Sequence, residues 1–135
     1  MKSFILLCVQ IILAQSKLHP QVITDWNNLQ KDFIESCSKE ANLDPTIPPR
    51  ILEDLYMPDE ANFQCYIRCV MRNNKLILPD NNVNAKELAE VVHITPETAM
   101  KCIKSAETET DVCRKPYLVG ICCIESKFET QSCNS

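Results

Sequence analysis

The nine cysteines of this 135-residue chain are the residues with the widest range of chemistry. Thiolates can bind zinc, attack a substrate when a base stands beside them, or oxidise in pairs to disulfides. No Cys-x-x-Cys pair is present, which argues against a zinc site. Only His93 is placed to act as a base, and we interpret it as the polar end of a helix. We therefore expect disulfides, no metal, no cofactor and no enzymatic activity.

Composition and charge exclude several other classes of function. The chain has a single glycine, Gly120, whereas loops that cradle phosphates or dinucleotides need several. Its formal net charge is −4 and it has no run of basic residues, so we expect no nucleic acid partner. With 45% hydrophobic and 24% charged residues, it has the balance of one globular domain.

Residues 1–16 predict a signal peptide. Lys2 precedes an apolar run over residues 4–14, and small residues surround a cleavage point after Ser16. A helix of that run would span roughly 16 Å, about half of a bilayer core, so we expect no stable membrane insertion. Removal of Cys8 leaves eight cysteines in an oxidising destination, which predicts three or four disulfides in the mature domain, residues 17–135.

Periodicity and proline positions predict that this domain is all-α. Apolar residues at helical spacing predict a first helix over residues 25–41 and a third over 59–74, with an apolar arc wide enough for a central helix. Pro48 and Pro49 predict a short second helix between them. Residues 17–23 are expected to form an irregular lead-in.

Three further helices follow, each with a start signal. Asn84, with a glutamate three residues later, has the outline of a capping box. Thr95 before Pro96 is an N-cap followed by proline at the first helical position. The last helix is expected to begin at Asp111 or later, at Pro116. The sequence therefore predicts about six helices.

Six of the cysteines follow one another with the spacing Cys37-x27-Cys65-x3-Cys69-x32-Cys102-x10-Cys113-x8-Cys122. This spacing resembles the signature of the insect odorant-binding proteins. The resemblance implies three bridges, of helix 1 to helix 3, helix 3 to helix 6 and helix 5 to helix 6, and the implied pairs are Cys37–Cys69, Cys65–Cys113 and Cys102–Cys122.

Two cysteines lie outside that signature. Cys123 and Cys133 could form a fourth bridge that closes the C-terminal tail, could stay free, or could pair between molecules. The resemblance thus implies a compact bundle of about six helices around an internal apolar cavity, stapled by three or four disulfides.

The implied function is that of a secreted carrier for small apolar ligands such as odorants or pheromones, in sensillum lymph or another extracellular fluid. A general carrier in haemolymph, saliva or venom is one alternative, and a secreted interaction protein or inhibitor with a solid core is another. A homodimer remains open. The residues expected in the cavity wall are Phe63, Tyr66, Ile67, Val70, Leu88, Val92, Met100, Ile103, Tyr117 and Ile121.

Overall fold

The structure is a computed structural model that describes residues 20–54 and 57–129. These residues contain six α-helices. The all-α fold predicted from the sequence is confirmed. None of these helices is long and apolar enough to cross a membrane. The predicted signal peptide, residues 1–16, lies outside the described residues. The helices are α1 Pro20–Gln30, α2 Ile34–Ala41, α3 Ala61–Asn73, α4 Ala85–Val91, α5 Pro96–Ser105 and α6 Arg114–Glu129, with a 3₁₀ helix at Pro48–Arg50.

The start signals of the last three helices are local hydrogen bonds. Thr95 Oγ1 accepts a bond from the backbone N–H of Thr98 at 3.1 Å, and α5 begins at the next residue, Pro96. Asn84 caps α4 in the same way. Asp111 Oδ1 accepts hydrogen bonds from the backbone N–H groups of Arg114, the first residue of α6, and of Cys113. These bonds hold the pKa of the Asp111 carboxyl below its ordinary value. Such caps satisfy N–H groups that have no partner inside the helix.

The predicted first helix is wrong in two respects. Residues 20–23 are helical, and residues 31–33 form a turn that divides the expected helix into α1 and α2. Neither glycine nor proline marks this turn, and the apolar stripe continues across it through Phe33. The turn lets α2 pack against α3 while α1 covers a different part of the interior. The predicted second helix is shortened to the 3₁₀ helix at Pro48–Arg50.

The central helix of the fold is α3, as its wide apolar arc predicts. Phe63, Tyr66 and Val70 on this helix are fully buried. The Tyr66 hydroxyl donates a hydrogen bond of 2.8 Å to Gln30 Oε1, and Gln30 Nε2 donates one of 3.0 Å to the carbonyl of Pro48. This buried network ties the end of α1 and the 3₁₀ helix to α3, and it leaves these polar atoms paired.

Three disulfides connect the helices, and they are the pairs that the resemblance implies. One joins α2 to α3, one joins α3 to the residue before α6, and one joins α5 to α6. The Cα atoms are 5.6 Å apart in Cys37–Cys69, 4.7 Å in Cys65–Cys113 and 5.5 Å in Cys102–Cys122.

The possible fourth bridge, Cys123–Cys133, stays a prediction. Cys123 carries a free and buried thiol on α6. Cys133, its candidate partner, lies outside the described residues.

Candidate functional site

An apolar cavity lies between α1, α3, α4 and α6, and two residues of the segment before α3, Leu52 and Met57, also line it. The space open to the centre of a water-sized molecule is about 80 Å³. The two charged residues in its wall are Asp25 and Lys127, and the other side chains are almost all hydrocarbon or sulfur. The wall residues are Val22, Asp25, Trp26, Leu29, Leu52, Met57, Ile67, Met71, Leu76, Leu88, Val92, Ile94, Tyr117, Gly120, Cys123, Ile124 and Lys127.

Helical periodicity places these residues on common faces. On α6, the wall residues Tyr117, Gly120, Cys123 and Ile124 are three, three and one positions apart, so they form one stripe along the helix. The α1, α3 and α4 segments contribute in the same way, through pairs of apolar residues that lie three or four positions apart. The cavity therefore forms where the apolar stripes of several helices face one another without complete contact.

The polar edge of the cavity is a group of paired side chains. Asp25 is 7% exposed, and its carboxylate accepts a hydrogen bond of 2.8 Å from Gln21 Nε2. His93 Nδ1 lies 2.7 Å from the other carboxylate oxygen of Asp25. The Lys127 ammonium donates to the backbone carbonyl of His93. His93 thus connects α1 and α6 to the residues that follow α4.

His93 does lie at the polar end of a helix, where the sequence analysis places it. The helix α4 ends at Val91, and His93 has a φ of 54° two residues later. This left-handed backbone is uncommon outside glycine and is held here by contacts to both neighbouring helices. The structural role of His93 is to connect α1, α6 and the segment after α4 beside the cavity.

Four of the ten residues that the sequence analysis places in the wall are found there. Ile67 lies on α3, Leu88 on α4, Val92 just after α4 and Tyr117 on α6. Burial raises the pKa of the Tyr117 hydroxyl, the charge of Asp59 raises it further, and the charge of Arg114 partly offsets these effects.

The other six lie elsewhere. Phe63, Tyr66 and Val70 belong to the solid core of α3, because the apolar arc of this helix faces packed side chains over most of its width. Met100 is 63% exposed, and with Ile103 it lines a shallow groove on the outer side of α5.

Ile121, on α6, is packed against the core but is not in the cavity wall. The periodic pattern identifies apolar positions, but it does not show whether each faces core, cavity or solvent.

The wall residues that sequence reasoning missed come mainly from α1 and from the segments between helices. Trp26 and Leu29 belong to the apolar residues that predict the first helix, but the pattern of a core helix and that of a cavity wall are the same. Gly120 has no side chain, so the hydrophobic pattern does not identify it as a wall residue. The missed residues are Val22, Asp25, Trp26, Leu29, Leu52, Met57, Met71, Leu76, Ile94, Gly120, Cys123, Ile124 and Lys127.

The environment of Cys123 predicts an unreactive thiol. Burial raises its pKa to about 11, and the thiolate is the form that reacts with alkylating agents. At pH 8 we expect iodoacetamide to alkylate Cys123 roughly a hundredfold more slowly in the native protein than in guanidinium-unfolded protein with intact disulfides. Mass spectrometry of the peptide that contains Cys123 measures both rates. Equal rates would mean that this thiol is accessible and not part of the cavity wall.

Comparison with known proteins identifies a family. A family model described as the PBP/GOBP family, which comprises insect pheromone-binding and general odorant-binding proteins, matches residues 22–126. The match includes all six helix-linking cysteines and the whole described cavity wall except Lys127. Searches of curated proteins and of solved structures gave no match. The chain belongs to the PBP/GOBP family.

Proposed function

We propose that this protein is a secreted carrier that binds small hydrophobic molecules, such as odorants or pheromones, in the apolar cavity. The observation that carries the proposal is the composition of the wall, in which hydrocarbon and sulfur groups from four helices face a common space. Removal of apolar ligand surface from water is favourable by about 25 cal/mol per Å². A ligand that buries ~300 Å² would gain roughly 7 kcal/mol in this way, before the costs of association are subtracted.

Two methionines allow the cavity to adapt its shape to a ligand. Met57 and Met71 both line the wall, and methionine has three rotatable bonds and no branch, so it repacks at low cost. The space of about 80 Å³ is small for a ligand of ten or more heavy atoms. We therefore expect these side chains to move when a ligand binds.

Secretion is a second part of the proposal. It is supported by the apolar run in residues 4–14 and by three disulfides, since disulfides persist in oxidising compartments. The proposed mature domain, residues 17–135, contains the complete family match. A homodimer stays open and is not part of the proposal.

The test is a titration of the mature protein with the fluorescent apolar probe N-phenyl-1-naphthylamine. We expect saturable one-to-one binding with a micromolar Kd, and displacement of the probe by apolar odorants. Trp26 is the one tryptophan of the chain and lies in the wall, so energy transfer from it to the probe reports binding in the cavity. Absence of saturable binding would contradict the proposal and favour a secreted interaction protein.

A further inference from the structure

The indole N–H of Trp26 is a buried hydrogen-bond donor without a partner. Trp26 lies on α1 and lines the cavity, and its Nε1 has no acceptor within hydrogen-bonding distance among the described residues. A buried polar group without a hydrogen bond is unfavourable, and most such groups in native proteins are paired. An unpaired donor in the wall of a binding cavity therefore needs an explanation.

The two charged groups at the cavity already have protein partners. The Asp25 carboxylate is held by Gln21 and His93, and the Lys127 ammonium donates to a backbone carbonyl. The second buried side-chain atom without a partner in the described residues is the Ser38 hydroxyl oxygen, which lies on α2 and outside the cavity wall. The uncharged nitrogen and oxygen groups of the wall side chains are the Trp26 indole N–H, which has no partner among the described residues, and the Tyr117 hydroxyl. The indole N–H has almost no exposed surface, so a ligand acceptor reaches it only through the side-chain movement expected on binding.

We propose, on the basis of the function proposed above, that Trp26 selects apolar ligands that carry one hydrogen-bond acceptor. The indole N–H is a donor only, so its partner must be an acceptor such as the oxygen of a ketone, aldehyde or ester. A pure hydrocarbon fills the same apolar space but leaves the donor unpaired. An alcohol accepts the bond as well, but its own O–H then faces an apolar wall. The cavity thus favours carbonyl compounds within the class of small apolar molecules.

The single tryptophan makes a precise test of this selection practical. Expression in a tryptophan auxotroph supplied with β-(3-benzothienyl)alanine replaces only Trp26, and it exchanges the N–H for sulfur while keeping the shape of the ring. The ligands are 2-decanone and 2-methyl-1-decene, which differ by C=O against C=CH₂. Their affinities are measured by displacement of N-phenyl-1-naphthylamine from the unmodified and the substituted protein.

We expect the substitution to weaken 2-decanone binding five- to tenfold and 2-methyl-1-decene binding less than twofold. Because each ligand is compared with itself in two proteins, its partition from water cancels. A tenfold difference corresponds to ~1.4 kcal/mol, the size of one neutral hydrogen bond. Trp26→Phe is a second variant that lacks the N–H, and it should show the same difference between the two ligands.

Tyr117→Phe is the matched control, because it removes a different polar group from the same wall. It should change the affinities for both ligands by the same factor. Equal changes for the two ligands in both Trp26 variants would refute the inference while leaving the carrier function intact. A carbonyl preference that disappears in Tyr117→Phe would refute it as well. If the unmodified protein does not bind the probe, the proposed function fails and this inference fails with it.

Discussion

Replacement of Cys65 and Cys113 together by alanine is expected to lower the free energy of unfolding by about 4 kcal/mol. The bridge joins residues 48 positions apart, and in the chain-entropy model its removal restores the freedom of that loop to the unfolded chain. The bridge between Cys102 and Cys122 closes 20 positions, so its removal is expected to cost about 3 kcal/mol. Since domains of this size are stable by roughly 5–15 kcal/mol, either loss is large. Urea unfolding followed by circular dichroism measures both.

Cys123→Ala is the matched control for these double substitutions. It also removes a buried cysteine, but one that forms no bond in the structure. We expect a loss of about 1 kcal/mol, the cost of deleting one buried side-chain atom and leaving a small void. The role assigned to the disulfides would be wrong if the loss of a bridge destabilised the protein no more than this control does.

Features that depend on a few neighbouring residues could be predicted from the sequence. The start of α5 follows from Thr95 and Pro96, because the capping hydrogen bond and the proline both act within one turn. The central position of α3 follows from its wide apolar arc, because few faces remain for solvent. These predictions needed no knowledge of how the helices are arranged.

The cavity wall could be predicted only in part, because it depends on that arrangement. Tyr66 and Ile67 are neighbours on α3 and both are buried, but Tyr66 points into packed core and Ile67 lines the cavity. Met100 has an apolar side chain at a helical position but faces the outer groove. The turn between α1 and α2, which brings Trp26 to the cavity, has no proline or glycine to mark it. Tertiary packing decides each of these cases.

Gly120→Leu is expected to abolish saturable binding of N-phenyl-1-naphthylamine while making the protein more stable. Gly120 lines the cavity near the middle of the 16-residue helix α6. Beyond its chain neighbours and the backbone of its own helix, a Cβ atom added there would have no heavy atom within 4 Å, so a side chain at this position enters open space without a clash. The four carbon atoms of leucine would take up much of a space of about 80 Å³. We expect probe affinity to fall at least about fiftyfold, or ~2.3 kcal/mol.

The gain in stability comes from two sources. Glycine in the interior of a helix is less favourable than alanine by roughly 0.5–1 kcal/mol, because the unfolded chain has more freedom to lose. Each methyl or methylene group buried in the cavity adds about 0.8 kcal/mol. Gly120→Ala should therefore raise the free energy of unfolding by about 1 kcal/mol with a small loss of affinity, and Gly120→Leu should raise it further.

The control for this series is Glu125→Leu, which introduces the same side chain at an exposed position of α6. It should leave probe affinity unchanged within about twofold, a difference of ~0.4 kcal/mol. Probe affinity is measured by titration, and stability by urea unfolding of each variant. Unchanged binding by Gly120→Leu would show that the probe does not occupy this cavity.

In Gly120→Leu, stability is expected to rise while probe binding is lost. These opposite changes make Gly120 the most informative position for deciding between a carrier and a protein with a solid core. In a solid core, an added leucine would displace packed neighbours and destabilise the fold by about 1–3 kcal/mol. In a cavity, the same side chain fills unused space, so stability rises as binding is lost. The chain has one glycine, and it lies where a side chain would stabilise α6 and close the cavity. A glycine at this position weakens the helix but keeps the space open for a ligand, as the proposed carrier function requires.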